Sequence, residues 1–96
     1  MRPVEYLRGA RRDFDDSFDW NAANSANAAV RLAGAVDAAL LTIALNPAQF
    51  ASRDVVRHEC PVKRFSFRIV YRIVEDRVLV VAIAHDKRRP GFWKQR

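Results

Sequence analysis

Ninety-six residues, half of them hydrophobic and ten aromatic, suffice for one domain over residues 1–96 whose core needs neither metal nor disulfide. The lone Cys60 excludes an intramolecular bridge, the start Met1-Arg2-Pro3 is not a secretory h-region, and the apolar runs 38–45 and 78–84 fall short of the ~20 residues of a membrane helix, so a cytoplasmic protein without membrane contact is expected. The net charge of +6 is lopsided, with five Arg against six acids in residues 1–50 and twelve Lys/Arg against five acids in residues 51–96, which favours nucleic acid or an acidic protein as partner.

Residues 4–7 are expected to form a short first strand. From 8 to 21, Leu7, Ala10, Phe14, Ser17 and Phe18 recur at steps of three and four, the spacing of one helix face. Asp13, Asp15, Asp16 and Asp19 are expected on the solvated remainder. Asn24 and Ser25 are the best caps for a second helix, whose stripe is Ala29, Ala33, Val36, Leu40 and Ile43 and which Asn46-Pro47 ends. Residues 8–46 thus predict a helical hairpin, and 48–54 a loop.

Beyond the loop the period becomes two. Residues 55–62 are expected to be a strand placed at an edge or bulge by Pro61. In 65–74, Phe65, Phe67, Ile69, Tyr71 and Ile73 face one way, and Arg68, Arg72 and the valines the other. Glu75-Asp76 predicts a tight turn, and 77–84 is apolar on both faces, as in the middle of a sheet. The fold class is α+β, β-α-α-β-β-β, with the hairpin packed on a small, mostly antiparallel sheet.

Two arginines on one strand face, beside a strand that ends at His85 and Lys87-Arg88-Arg89, point to a basic surface. Guanidinium groups grip phosphate or carboxylate, and Phe92 and Trp93 can stack or anchor. The free sheet face with Arg68 and Arg72 is where a partner segment is expected to dock. His58, Glu59, Cys60 and His85 lack metal-ligand spacing and neighbouring strand residues alternate faces, so neither metal nor cofactor is expected. His85 is a candidate proton carrier beside the basic surface.

The segments RFSFRIVYRIVEDRVLVVAIAHDKRRPGFW, LLTIALNP and RGARRDFDDSFDW together resemble the RelE/ParE superfamily, the toxins of type II toxin–antitoxin modules, over nearly the whole chain. The resemblance implies the same β-α-α-β-β-β fold and a cognate antitoxin. Its RelE-like branch implies ribosome-dependent cleavage of mRNA, for which Arg68 and Arg88, with His85, would be the catalytic candidates. The lysines that branch needs before Arg68 are displaced: Glu59 and Pro61 stand there, with Lys63 and Arg64 shifted. Its C-terminal tyrosine is replaced by Phe92-Trp93. The ending His85-x-x-Arg88-Arg89-Pro90-x-Phe92-Trp93 is more like the ParE branch, which binds and poisons DNA gyrase. That branch implies no catalysis and a contact surface of Arg68, Arg72, Lys87, Arg88, Arg89, Phe92, Trp93 and Lys94 for target or antitoxin. A diverged, inactive basic module is the third reading.

Overall fold

A computed structural model of the chain describes residues 1–52, 56–87 and 91–96. Strand β1 (Val4–Tyr6) leads directly into α1 (Arg8–Asn24), and a single residue, Ser25, separates α1 from α2 (Ala26–Leu45). Ser25 can join them this tightly because its extended backbone breaks the helix while its hydroxyl accepts from the Ala28 amide at 3.3 Å. Asn46 ends α2, and Pro47–Gln49 forms one 3-10 turn that leads into the expected loop. Then come β2 (Arg57–Val62), β3 (Phe67–Val74) and β4 (Arg77–His85). The chain is therefore α+β in the expected order.

The sheet order is β1-β4-β3-β2, with β1 parallel to β4 and the other pairs antiparallel. Pro61 accordingly lies on an edge strand, where a missing amide costs no ladder bond. Val55 lies outside the described residues, and β2 starts at Arg57. Glu75 closes the β3–β4 turn with φ 58, a left-handed conformation unusual for a side chain other than glycine.

The helices cover one face of the sheet. Ala10, Leu32, Val36 and Ile43 meet Cys60, Val62, Ile69, Tyr71, Val78, Val80 and Ile83 in the main core. Leu32 takes the inward position that the stripe reading assigned to Ala33, which is half-buried. By length and composition α2 is apolar enough to cross a bilayer, yet its inner residues Leu32, Val36 and Ile43 are fully buried in this core.

A second, smaller cluster occupies the opposite face: Val70, Val81, Ala82, Ala84 and Trp93, with Leu7 and Phe92 against it. A break in register makes it possible. Val70 pairs with Ala82 and Tyr71 with Val80, so Val81 is an extra residue on β4. Val80 and Ile83 consequently both face the helices, although three residues apart, and Val81, Ala82 and Ala84 join the second cluster. A strand that is apolar on both faces has both faces covered.

Candidate interaction surface

The sheet face expected to be free is strapped by the C-terminal residues 91–96. Trp93, 6% exposed, lies in the second cluster, and its ring meets Phe92 edge-on at 5.1 Å. The Lys94 carbonyl accepts from Arg57 of β2 at 3.2 Å. At the other end Arg96 grips Asp13 of α1, with N–O distances of 2.7 and 3.2 Å, and donates to the Val81 carbonyl at 3.0 Å. Asp13 in turn accepts from the Ile83 amide at 3.1 Å. The parallel ladder of β1 with β4 stops at Val80, where Leu7 N donates to Val80 O, so Asp13 and Arg96 satisfy β4 backbone groups just past its end.

Three expectations change here. Asp13, read as part of a solvated acidic face, is 5% exposed and ion-paired. Phe92 and Trp93, read as contact residues, anchor the strap instead: Trp93 is inside, and Phe92 lies under the Arg96 guanidinium, 5.1 Å from ring centroid to carbon. The face carrying Arg68 and Arg72 is not open around Val70. Asp13 borders the apolar arc of Ala10 and Phe14, which is the trace it leaves in sequence. Nothing in the sequence pattern singles out Arg96. Gly9 belongs to the same unit, because a Cβ there would lie 2.7 Å from the Arg96 guanidinium carbon.

Arg68 is paired. Its Nε is 3.2 Å from Glu59 and 3.7 Å from Asp86, and Glu59 is only 9% exposed in its side chain. Arg72 is half-buried, opposite Arg57 in the β2–β3 register, so the two cations are neighbours on one face. Lys87 and Lys94 are exposed. Arg88 and Arg89 lie outside the described residues.

His85 ends β4 packed edge-on against Phe67 at 5.0 Å, and its Nδ1 accepts from the Lys87 amide at 3.0 Å. That acceptor role leaves Nε2 to carry the ring proton. The imidazole borders an open groove of about 540 Å³ that also gathers Asp16, Trp20, Arg64 and Ser66.

Deeper in, Tyr71 donates its hydroxyl to the Pro47 carbonyl and stacks on His58 at 5.3 Å, while His58 Nδ1 lies 2.8 Å from the Phe50 carbonyl oxygen. Burial pushes the Tyr71 phenol up to about 12, with the neighbouring Cys60 adding to the shift. Burial likewise pushes the Cys60 thiol up to about 11, so it is protonated and unreactive at neutral pH. These groups are built for packing.

A family model for the ParE toxin of type II toxin-antitoxin system, parDE, matches residues 4–90, which span the hairpin and all four strands. The chain belongs to the ParE toxin family. Among solved structures it is similar to the chromosomal ParDE TA system from P. aeruginosa, at 16% sequence identity and a TM-score of 0.76, covering 88% of this chain and 96% of that one. At that identity the likeness speaks for the fold. No curated protein matches the chain. On this ParE toxin the strap residues Trp93, Lys94 and Arg96 lie past the end of the matched segment.

Proposed function

We propose that the chain inhibits growth by binding and poisoning DNA gyrase and that a cognate antitoxin neutralises it in the cytoplasm. Beyond membership of the toxin family, the observation that carries this reading is the state of Arg68. A ribonuclease would need this guanidinium facing a scissile phosphate, and here its Nε lies at ion-pair distance from Glu59 and Asp86, at 3.2 and 3.7 Å, although neither contact has hydrogen-bond geometry. Phe92 and Trp93 stand where that chemistry needs a tyrosine, and both serve the strap. The contact to target or antitoxin is assigned to the cations Arg72, Lys87 and Lys94 and, on the sequence alone, to Arg88 and Arg89. An acidic antitoxin segment would associate more slowly as salt rises, and a salt-insensitive association rate would speak against this charge-led contact.

The test is induced expression in a bacterial host, with DNA topology and transcript ends followed in the same culture. Linearised or relaxed DNA with intact transcripts is expected. Codon-positioned mRNA cuts with unaltered DNA would overturn the gyrase reading. They would favour the second one, a ribosome-dependent endoribonuclease, for which the groove placing His85 beside Arg64 and Trp20 is the supporting observation.

A further inference from the structure

Three cations converge beside the turn between β2 and β3. Arg31 of α2 and Lys63 and Arg64 of the turn border one hollow of about 430 Å³, and the rest of its lining, Ala35 and Phe65, holds no acid. All three cations are exposed, and none has an ion pair or hydrogen bond among the described residues. Like charges gathered in a concave site raise the local positive potential, and a bound anion relieves it. Ala35 lies one helical turn after Arg31, so a small side chain stands where a larger one would fill the space.

The backbone of Arg64 is a second, independent observation. Its φ is 68, in the left-handed region that glycine adopts at far less cost. A turn selected for stability alone would place glycine or asparagine there. Arginine at that position exchanges backbone strain for a guanidinium at the rim of the hollow, and strain of this kind gathers at binding sites.

Arg64 and Phe65 are also walls of the adjoining groove, which Trp20 lines while 69% exposed. An indole that open to water offers a face to a flat ring. Asp16 lines the same groove from α1, where an acid suits hydroxyl groups and repels phosphate. The two hollows therefore differ in chemistry: one side of Arg64 takes phosphate, and the other takes an aromatic, hydroxyl-bearing group. Three cations around one hollow fit a compact polyphosphate better than the phosphates of a strand, which follow a groove of charge.

We infer that this corner of the fold binds a nucleoside triphosphate, with its phosphates on Arg31, Lys63 and Arg64 and its base against Trp20. The site is open to solvent, so binding is weak, with a Kd of ~0.1 mM at low ionic strength. The inference is independent of the toxin's target and of its antitoxin.

Calorimetric titration of the full chain, made by cell-free synthesis, with ATP, tripolyphosphate and adenosine reads both halves of the site. ATP should bind about tenfold more tightly than tripolyphosphate, and adenosine most weakly. ATP should also quench tryptophan emission, and the change belongs to Trp20 because Trp93 is only 6% exposed. Trp20→Ala should abolish the quenching and bring ATP down to the level of tripolyphosphate, whose own affinity stays unchanged. Arg31→Gln and Lys63→Gln should weaken both phosphates alike. Arg64→Gly separates binding from folding: it should lower the affinity for ATP about tenfold while the thermal midpoint holds or rises, since glycine relieves the strain at φ 68. No binding of ATP at ~5 mM overturns the inference. So does ATP binding that Arg64→Gly leaves intact, and so does tripolyphosphate equal to ATP with no change in emission. A DNA oligonucleotide that binds this corner while ATP does not would overturn it as well, by showing that a strand backbone is the occupant.

Discussion

Removing the Arg96 side chain tests whether the strap is part of the fold. In Arg96→Ala, Asp13 loses hydrogen bonds of 2.7 and 3.2 Å, and the Val81 carbonyl loses one of 3.0 Å. Stripping one partner from a buried ion pair costs ~3–5 kcal/mol, because the remaining charge stays desolvated. Arg96 is 22% exposed in its side chain and Asp13 only 5%, so water relieves the arginine end and the bottom of that range applies, about 3 kcal/mol. That is a large share of the ~5–15 kcal/mol that holds a domain folded. Urea unfolding at neutral pH, followed by circular dichroism, measures it. Asp13→Asn keeps an acceptor for the Ile83 amide, so the Asp13→Asn/Arg96→Ala cycle isolates the ion pair, and a coupling above ~1 kcal/mol is expected. Gly9→Ala supplies an independent arm: it should destabilise the wild type by displacing the guanidinium and be harmless once Arg96 is alanine. A loss below ~0.5 kcal/mol for Arg96→Ala, without coupling, would show that the strap is a surface ornament and refute the reasoning.

Other consequences follow from the same structure. Arg68→Ala removes the partner charge from Glu59, 9% exposed in its side chain, and should cost ~1–3 kcal/mol in urea unfolding; unchanged stability would return Arg68 to the list of functional candidates. Trp93→Ala should cost ~3 kcal/mol, and in a Trp20→Phe background the remaining Trp93 should emit at short wavelength and resist iodide quenching, whereas solvent-like emission would mean that the strap is open. The folded chain holds the Cys60 thiol and the Tyr71 phenol neutral, with values raised from 9.0 to about 11 and from 10.0 to about 12. Their contribution is complete below pH 9 and is lost as pH rises towards 12, at up to ~1.4 kcal/mol per pH unit per group. Cys60→Ala should delay the onset of alkaline unfolding to about pH 10, and an onset that does not move would refute the assignment to Cys60.

The sequence by itself determined what repeats along the chain. The stripe of α2, the Asn46-Pro47 stop, the alternation of β3 and the uniform apolarity of β4 each follow from burial at a fixed period, and together they lead to the β-α-α-β-β-β order and the family. The edge position of β2 was legible too, because Pro61 lacks an amide. What only the tertiary structure decided depends on contacts between distant residues, which leave no periodic trace. Asp13 and Arg96 are 83 residues apart, and no local pattern tells a solvated aspartate from one that caps a strand. Arg68 reads as a binding residue until the register sets Pro61 opposite it and brings Glu59 within reach. Phe92 and Trp93 read as exposed because they follow a run of charge. A bulge at Val81 gives Trp93 a second apolar surface to cover, and the large gain from burying an indole folds the tail back onto the sheet.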